Sequence, residues 1–386
     1  MAVDITTPSQ NGTVLKENAN DESISSQLTR LDQIDEQFLA LLAERGNLAF
    51  QIGQHHESKR EPYSRPAIDQ QRLLEFQERW NEYQDSKFPR QGLNFVFREI
   101  LGVCASINKP LRVAYMGPPG TFSHLALLQA FGSAANQVDC STIANVFSAV
   151  ERGEADYGVV PIENSIEGSV TYTHDCFLRS DLLICSEFVL DVRLCLVAQQ
   201  TNISQIDHIY SHPQPLAQCR IWLSTHLPHA QAVACASTAA AAQMAVDDRN
   251  SAAVTSLLGA ELHGLLVLVE GIEDIPGNAT RFVTIATADA APTGHDKTSV
   301  VFSTPDERGA LLRILSIFDS EGLNLSRIES RPHRGRRWEY VFFTDIEAHR
   351  LDSAMQRALN RVQTQCQMVR ILGSYPQAAQ FSRVNP

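Results

Sequence analysis

The chain has 386 residues, of which 44% are hydrophobic, so it is long enough for roughly two to four domains with buried cores. Lys and Arg number 32 against 44 Asp and Glu, and the resulting formal net charge of −12 argues against binding to nucleic acid or to an anionic membrane. No stretch approaches ~18 consecutive apolar residues, and the first residues lack the basic start and apolar run of a signal peptide, so a cytoplasmic protein is expected.

The pattern of reactive residues excludes several cofactors. The 8 cysteines form no C-x-x-C pair and the histidines form no H-E-x-x-H motif, so we expect no metal site. No lysine occurs between Lys109 and Lys297, which excludes Schiff-base chemistry on pyridoxal phosphate over that stretch. These patterns give no indication of a metal or a cofactor, and we expect neither.

The N-terminal part of the chain has helical periodicity. Residues 1–22 are polar and patternless, and we predict a disordered tail there. From Ile24 the apolar residues recur at the helical period for about thirty residues, and two shorter helical patterns follow around 67–84 and 91–107. We predict an all-α domain over 23–108, and the pattern alone favours a dimerisation module.

A different pattern begins after Asn108-Lys109-Pro110. Short apolar runs alternate with helical stretches, which predicts an α/β domain over 111–287 with largely parallel strands. Ligands of such sheets bind beyond the carboxyl ends of the strands. The predicted strands are Arg112–Met116, Asp156–Pro161, Leu182–Glu187, Arg193–Ala198, Ile206–Tyr210, Ala232–Ala236, Ala252–Thr255 and Phe282–Thr287.

A third domain is predicted after the segment Ala288–Lys297, which is rich in small residues and contains Pro and Gly. The pattern there is strand, helix, strand, strand, helix, strand in fewer than ~90 residues. This order predicts a small α+β domain of the ferredoxin-like type over 298–376.

Polar clusters lie at predicted strand ends and helix starts of the middle domain, where small anions bind well. Gly117–Ser123 opens a helix, and it is not a Walker loop because no Gly-Lys-Ser/Thr follows, so an oxyanion cradle and a structural turn both stay open. Val160–Val170 leaves an apolar strand and presents an acid, an amide and a hydroxyl, with plain helix capping as the alternative.

Three further clusters follow. Ser211-His212-Pro213-Gln214 ends a strand, although adjacent Ser and His do not by themselves make a catalytic dyad. Ser237-Thr238 precedes a run of alanines and would place exposed amides at the positive end of a helix. A plain helix cap is the alternative. Asn278–Phe282 enters the last strand with a hydroxyl, a guanidinium and an aromatic ring, which suit proton donation, carboxylate binding and stacking; a salt-bridged loop is the alternative.

Together these clusters resemble the motifs of prephenate dehydratases, in the same order: GPPGTFS, VPIENSIEGSV, SHPQPLAQC, STAAAA and NATRF, over about 110–287. The resemblance implies two α/β lobes, like a periplasmic-binding-protein, with prephenate between them. It implies a first lobe of 111–187 and 266–287 and a second of 188–265. It makes Thr280 the candidate catalytic proton donor, and it implies substrate binding by Arg281, Phe282, Glu163, Asn164, Ser165, Thr121, Ser123, Ser211, Gln214, Ser237 and Thr238.

The last domain resembles an ACT regulatory domain in two segments. The resemblance implies that allosteric L-phenylalanine binds there and inhibits the enzyme, although Arg308 stands where the family commonly has Pro. Since ACT domains and helical mutase domains both pair, it also implies a homodimer or homotetramer. The two segments are Gly309, Ala310, Leu311 and Glu329, Ser330, Arg331, Pro332.

The N-terminal helices resemble a chorismate mutase domain, most clearly at Leu41–Arg45. Arg45 matches an active-site Arg of that family, whereas Leu28 replaces a second Arg and His56 replaces a Lys. Because one guanidinium cannot stabilise a doubly charged substrate, we expect a degenerate mutase. The alternatives are a fully bifunctional enzyme, an arogenate dehydratase, and a non-catalytic amino-acid sensor, against which the Thr280–Phe282 segment argues.

Overall fold

The computed structural model describes residues 11–59, 65–83, 85–332 and 340–378. It divides the chain into two compact units, Met1–Glu61 and Pro62–Pro386. Residues 1–10 of the expected tail lie outside the described residues, but residues 11–22 belong to the first helix, so the prediction of a tail is wrong for that part. The segment is polar, but it extends the helix α1, and lengthening an existing helix adds a hydrogen bond per residue without the cost of a new nucleus.

Twelve α-helices occur in the described part of the chain. They are α1 (Asn11–Lys59), α2 (Arg65–Trp80), α3 (Arg90–Ser106), α4 (Phe122–Phe131), α5 (Ile143–Glu151), α6 (Thr171–Phe177), α7 (Pro213–Gln218), α8 (Arg220–His226), α9 (Thr238–Asp247), α10 (Leu257–Leu262), α11 (Ala310–Ser320) and α12 (Ser353–Gln363).

Fifteen strands occur in the same ranges. They are β1 (Arg112–Met116), β2 (Asn136–Cys140), β3 (Tyr157–Asn164), β4 (Gly168–Ser169), β5 (Leu183–Asp191), β6 (Cys195–Ala198), β7 (His208–Ser211), β8 (Gln231–Ala234), β9 (Ser251–Thr255), β10 (Leu266–Glu270), β11 (Ala279–Ala286), β12 (Asp296–Ser303), β13 (Leu325–Pro332), β14 (Tyr340–Ile346) and β15 (Met368–Pro376).

The middle domain consists of two sheets and hence two lobes. The first-lobe sheet has the order β2-β1-β3-β11-β5, with β4 beside β3, and the second-lobe sheet has the order β10-β6-β9-β7-β8. Strands β1, β2 and β3 are parallel, as are β7, β8 and β9. Strand β11 instead runs antiparallel between β3 and β5, because the chain re-enters the first lobe there after leaving the second.

The lobe boundaries differ from those that we expected. Strand β10 pairs with β6 of the second lobe, so Leu266–Glu270 belongs to the second lobe and the prediction is wrong for those residues. Strand β5 stays in the first lobe as far as Asp191. An apolar run predicts a strand but does not reveal which of two sheets the strand joins.

The C-terminal domain has the predicted order β12-α11-β13-β14-α12-β15, and its sheet order is β13-β14-β12-β15. The predicted fold class is confirmed in all three parts of the chain. No helix among the described residues is both long and apolar enough to cross a membrane.

The C-terminal sheet shares a hydrophobic core with the first lobe. Val301, Phe343 and Leu372 of the C-terminal domain lie in one buried cluster with Ile184 and Val283 of the first lobe. Their backbones also approach closely, since a Cβ added at Gly373 would lie 2.2 Å from the carbonyl oxygen of Ile184. The two domains are therefore packed as one body of the fold.

Helices α2 and α3 pack on each other through Phe76 and Phe97, whose ring centroids are 4.3 Å apart. They also contact the first lobe, since a Cβ added at Gly102 would lie 2.4 Å from the carbonyl oxygen of Phe131. The boundary between the two compact units falls between α1 and α2, inside the helical domain predicted over 23–108.

Candidate functional site

A cavity of about 1440 Å³ lies in the crevice where the two lobes meet. It is lined by the carboxyl ends of strands and the first turns of helices, the position expected for a ligand of an α/β sheet. Among the predicted site residues, those that line it are Thr121, Ser123, Asn164, Gln214, Ser237, Thr238, Thr280 and Phe282.

Strand β11 presents alternate side chains to its two faces, as any strand does. Thr280 and Phe282 line the cavity. Phe282 is almost fully buried and stacks on Phe188, with ring centroids 5.8 Å apart and planes 11° apart. Arg281 lies between these two residues and is not part of the described lining.

Strand β3 also contributes side chains to the cavity, and its pairing with β11 has an irregular register. Thr280 pairs with Asn164 and Arg281 with Glu163, but Phe282 pairs with Pro161, so one residue of β3 is skipped. A bulge of this kind re-aims side chains next to it. Pro161 and Asn164 consequently both line the cavity, although they are three positions apart.

The side-chain amide of Asn164 is held in one orientation. Its Oδ1 accepts hydrogen bonds from the backbone N–H groups of Ile166 and Glu167, at 3.0 and 3.1 Å. Its Nδ2 must therefore be the atom that donates to Oδ1 of Asn278 at 2.8 Å and to Oγ1 of Thr280 at 2.9 Å. Because the Thr280 oxygen accepts this bond, its own hydrogen is available to a molecule in the cavity.

Helix α4 brings backbone amides to the cavity. Thr121 caps the helix by accepting from the N–H of His124, and it donates to the carbonyl of Met116 at 3.2 Å. Nδ1 of the buried His124 ring accepts from the N–H of Gly120 at 3.1 Å, and burial lowers the pKa of this ring. The N–H groups of the first helical turn, including that of Ser123, have no partner within the helix.

Helix α9 presents its N-terminus from the second lobe. Ser237 caps it by accepting from the N–H of Ala240 at 3.0 Å, and Ser237 and Thr238 both line the cavity. The two helix starts lie close together, since a Cβ added at Gly120 would lie 3.6 Å from the Cβ of Ala239. Their positive ends suit a carboxylate.

Gln218 connects the lobes and is a site residue that was not predicted from the sequence. Its Oε1 accepts from Nδ2 of Asn278 at 3.2 Å, and its Nε2 donates to Oε1 of Glu167 at 3.4 Å. It lies four positions after Gln214 on α7, and both line the cavity. That spacing puts two residues on one face of a helix, a signal that was present in SHPQPLAQC.

Two predicted substrate-binding hydroxyls do not reach the cavity. Ser211 is fully buried and donates to the carbonyl of Val254 at 2.6 Å. Ser165 accepts from the backbone N–H of Ala279 at 3.0 Å and so ties β11 to the turn after β3. Both residues are in the expected motifs, but each hydroxyl is used to hold backbone rather than to face the cavity.

Arg281 was also expected to bind substrate, but it is not part of the described cavity lining and its guanidinium contacts protein groups. Its Nε donates to Glu187 at 2.6 Å, its NH1 to Asp345 at 2.6 Å and its NH2 to the Tyr375 hydroxyl at 3.0 Å. Burial alone would lower the pKa of this guanidinium, but Asp345 and the other partners raise it well above its ordinary value. Successive side chains of a strand point to opposite faces, so Arg281 lies on the face of β11 opposite to that of Thr280.

Glu163 lies on the same side as Arg281 and is likewise absent from the described lining. Its Oε2 is 3.1 Å from Nε of Arg327 on β13 and 3.7 Å from NH1 of Arg281. Glu163 was expected to bind substrate and instead faces the C-terminal domain.

The two segments expected to bind an effector lie on the C-terminal domain. Gly309 has a left-handed backbone with φ of +77° and precedes α11, whose first residues are Ala310 and Leu311. In the second segment Ser330 and Pro332 are exposed, whereas Glu329 and Arg331 are half-buried and lie 3.8 Å apart at their charged atoms.

Glu329 also reaches the first lobe. Its carboxylate hydrogen-bonds with Ser169 of β4 and with Arg327. Ser169 lines the cavity. The predicted effector segment and the cavity wall are therefore in direct contact.

The lining residues that the structure describes include no lysine and one arginine. This arginine is Arg152, whose side chain is 72% exposed. The remaining charged lining residues are acidic: Asp139, Glu154 and Glu167. A carboxylate bound deep in the cavity would therefore be held by backbone amides, hydroxyls and side-chain amides.

Arg45, the residue expected to remain from a mutase site, lies on α1. The side chains of His56 and Lys59 fall outside the described residues. Gln70 on α2 donates to the backbone carbonyl of Gln377 at 3.3 Å.

Comparisons with protein families match the whole of this architecture. The family model described as prephenate dehydratase matches residues 113–290, that described as ACT domain matches 298–363, and that described as chorismate mutase type II matches 28–109. A curated relative, the bifunctional chorismate mutase/prephenate dehydratase of Aquifex aeolicus, is 41% identical over 357 residues, covering 92% of this chain and 99% of its own.

Two solved structures are similar to this chain with a TM-score of 0.64 each. One is a prephenate dehydratase from Arthrobacter aurescens in complex with L-Phe, 40% identical, covering 69% of this chain and 90% of its own. The other is GqqA, described as a novel type of quorum quenching acylase, 31% identical, covering 70% of this chain and 99% of its own.

Proposed function

The chain belongs to the family of bifunctional chorismate mutase/prephenate dehydratases, and from that premise we propose that the cavity between its lobes is where prephenate is dehydrated. The observation that supports this best is the Asn164–Thr280 hydrogen bond, because it leaves the Thr280 hydrogen free to point to a substrate. The resemblance noted from the sequence is confirmed at the level of the family.

The reaction needs few groups from the protein. In prephenate the ring carboxylate leaves as carbon dioxide, and the electron pair of that C–C bond enters the ring as the ring hydroxyl leaves. One proton is required, since the hydroxyl departs as water. We propose that the Thr280 hydroxyl donates the hydrogen bond through which the leaving oxygen is protonated.

Binding of the dianion is proposed to use the two helix starts. The first turns of α4 and α9 offer unpaired N–H groups at Ser123 and Thr238, and Gln214 adds a side-chain amide. Phe282 supplies an apolar face for the ring. In this arrangement Arg281 does not contact the substrate.

The test is turnover of prephenate by the intact protein, with phenylpyruvate as the measured product. Thr280→Val removes the hydroxyl at nearly constant volume and should lower kcat by ~10²-fold or more, whereas Thr280→Ser keeps the donor and should retain most of it. Near-normal kcat in Thr280→Val would remove Thr280 from the mechanism. Arogenate as a parallel substrate decides between the two dehydratases.

The similarity to GqqA makes acyl hydrolysis a second candidate. A hydrolase needs a nucleophile or water activated by a neighbouring base. The side-chain partner of the Thr280 hydroxyl is the amide of Asn164, which is not a base. The geometry therefore supports dehydration better, and an acylase assay on the same preparation checks this.

For the helical segment we propose weak or absent mutase activity. Arg45 is kept, but Leu28 and His56 replace cationic residues of the family, and Gln70 contacts the C-terminal backbone. The name of the Aquifex aeolicus relative favours the bifunctional alternative. Chorismate turnover by the intact protein decides, and a rate comparable with that on prephenate, lost in Arg45→Ala, would make the proposal wrong.

Feedback by L-phenylalanine is proposed at the C-terminal domain, on the strength of the Gly309–Leu311 and Glu329–Pro332 segments and of the L-Phe complex of the Arthrobacter aurescens protein. The hydrogen bond between Glu329 and Ser169 connects the effector segment to the cavity wall, so binding of L-phenylalanine would alter the cavity through this contact. The test is the prephenate rate with and without L-phenylalanine. Absence of binding, or unchanged inhibition in Glu329→Ala, would contradict the proposal.

We propose a homodimer or homotetramer because α1 carries a long apolar stripe, a feature that commonly marks an interaction surface. Its members are each more than 40% exposed: Leu28, Leu31, Ile34, Phe38, Leu41, Leu48 and Ile52. Sedimentation of the protein against its Phe38→Asp variant tests this, since a monomeric wild type would exclude it. The cytoplasmic location stays a prediction.

A further inference from the structure

Arg281 connects the candidate catalytic strand to the C-terminal domain. It lies between Thr280 and Phe282, and its side chain points away from the cavity. Its NH1 is 2.6 Å from Oδ2 of Asp345 on β14, and its NH2 is 3.0 Å from the hydroxyl of Tyr375 on β15. Two residues of the C-terminal domain thus hold the residue next to Thr280.

These contacts belong to a group of charged and hydroxyl side chains, here named the Arg281 cluster, which continues through Glu163 to Arg327. Glu187 is 1% exposed and accepts from Arg281 at 2.6 Å and from Lys297 at 2.8 Å. The second carboxylate oxygen of Asp345 accepts from Ser299 at 2.5 Å. The cluster consists of Arg281, Glu187, Asp345, Tyr375, Lys297 and Ser299.

The two cations Arg281 and Lys297 face the buried carboxylates Glu187 and Asp345, and the adjacent pair of Glu163 and Arg327 adds one charge of each sign. Buried ion pairs rarely stabilise a fold more than apolar residues of the same shape would. They do fix one geometry, because each partner has few alternatives when water is excluded. A structural contribution to stability is therefore a weak explanation for placing such a cluster here.

The β-ladder around Thr280 is irregular at the same place. The register between β11 and β3 shifts between Arg281 and Phe282. On its other edge β11 pairs with β5 in regular register through Thr280, Arg281 and Phe282, so the disruption is confined to the β3 side, which carries Asn164. The Arg281 cluster adds a side-chain constraint on β11 from the face opposite the cavity.

We propose that Arg281 is a positioning residue for the dehydration: anchored by Asp345 and Tyr375 of the C-terminal domain, it holds β11 so that the Thr280 hydroxyl meets Asn164 and the substrate. The inference rests on the proposed function of the cavity. It makes two residues of the C-terminal domain determinants of kcat, although neither is part of the described cavity lining.

The first experiment measures kcat and KM for prephenate in Asp345→Asn. This change keeps the shape of the side chain and a hydrogen-bonding oxygen but removes the charge that holds Arg281. We expect kcat to fall ~10-fold and KM to stay within ~2-fold, because the binding groups remain while the reacting hydroxyl is displaced.

The matched control is Asp289→Asn. Asp289 is also a buried carboxylate near the C-terminal domain, paired with Arg350 at 2.8 Å, but it has no contact with Arg281. Its kcat should equal that of the wild type within ~2-fold. An equal fall of kcat in both variants would indicate a general structural effect and overturn the proposal.

The second experiment uses graded changes at Arg281 and Tyr375. Arg281→Gln should lower kcat by ~10²-fold, and Arg281→Lys should restore part of that loss because it keeps a charge near Asp345. The double variant Arg281→Gln/Asp345→Asn should be no slower than Arg281→Gln alone, since both changes break one connection. Tyr375→Phe removes a single hydroxyl and decides the matter if the charge variants do not fold.

The outcomes separate this inference from the proposed function. If the wild type does not convert prephenate, the proposed function fails and this inference fails with it. If the wild type is active but Asp345→Asn and Tyr375→Phe keep full kcat, only the positioning role is wrong. A raised KM with unchanged kcat in Arg281→Lys would show that Arg281 binds substrate directly and would also overturn the proposal.

Discussion

Nδ2 of Asn164 donates to Oγ1 of Thr280 over 2.9 Å, and the two residues are register partners on adjacent strands. The direction of this bond follows from the backbone N–H groups of Ile166 and Glu167, which occupy the amide oxygen of Asn164. The Thr280 hydroxyl is therefore arranged as a donor to the cavity.

The first prediction reverses that bond. In Asn164→Asp a carboxylate oxygen replaces the amide nitrogen, so the Thr280 hydrogen is drawn to the carboxylate and away from the substrate. We expect kcat for prephenate to fall by ~10²-fold. Steady-state kinetics check this, with Asn145→Asp, an exposed asparagine of the same cavity wall, expected within ~3-fold of wild type. Equal rates in Asn164→Asp and wild type would contradict the assigned direction.

The second prediction concerns Ser211, which the resemblance assigns to the substrate. Because its hydroxyl is buried against the carbonyl of Val254, Ser211→Ala should leave kcat and KM within ~2-fold of wild type. The loss of one buried hydrogen bond should lower the free energy of unfolding by about 0.5–1.5 kcal/mol. Kinetics and urea unfolding on the same preparation measure both. A tenfold rise in KM would return Ser211 to the binding site.

The third prediction concerns the stability that depends on Glu187. Glu187→Gln removes the carboxylate that pairs with Arg281 and Lys297 in a buried setting, so it should lower the free energy of unfolding by about 3–5 kcal/mol. The exposed pair of Glu307 and Arg313 is the control, and Glu307→Gln should cost less than about 1 kcal/mol. Similar urea midpoints for the two variants would show that burial does not matter here.

The fourth prediction is a pH dependence from His174. Burial lowers the pKa of this ring to about 4, and its Nδ1 donates to the carbonyl of Val170 at 3.0 Å. In the unfolded chain the ring has its ordinary pKa near 6.5, so below that pH the unfolded state takes up a proton that the folded state does not. Stability should therefore be unaffected by this residue above pH 6.5 and should decline between pH 6.5 and about 4.

The measurement is the free energy of unfolding of wild type and His174→Gln between pH 7.5 and 4. The contribution of His174 lost over this range is about 3 kcal/mol, at ~1.4 kcal/mol for each pKa unit. His174→Gln should have the shallower slope, whereas His295→Gln, at an exposed position, should keep the wild-type slope. Parallel curves for His174→Gln and wild type would rule out the neutral buried ring.

Much of the fold could be predicted because its strands are short apolar runs and its domain boundaries are marked by Pro and small residues. The strands that were missed, β2, β4 and β10, have specific reasons. Strand β2 is polar and mostly exposed, and β4 has only two residues, which no periodicity reveals. Strand β10 is a short apolar run, LVLVE, that the periodicity could have indicated as a strand, whereas its assignment to the second lobe has no local signature.

The candidate site was predictable to the level of motifs, but not to the level of side-chain direction. Thr280, Phe282 and Asn164 line the cavity, whereas Arg281 and Glu163 in the same motifs face the C-terminal domain. Alternation in a strand gives two faces, and here both faces are covered, so polarity does not reveal which one meets the ligand. The bulge opposite Arg281 and Phe282 has no local signature either.

The close approach of Gly373 to Ile184 joins the C-terminal sheet to the first lobe, so the two domains are not expected to be separable by truncation. A chain ending near residue 287 would expose to water the face of the first lobe that now packs on Val301, Phe343 and Leu372. It would also leave Glu187 and Arg281 without their partners from the C-terminal sheet. The dehydratase domain is therefore expected to depend on the ACT domain for folding, so that deleting the ACT domain would yield aggregated protein rather than a shorter active enzyme.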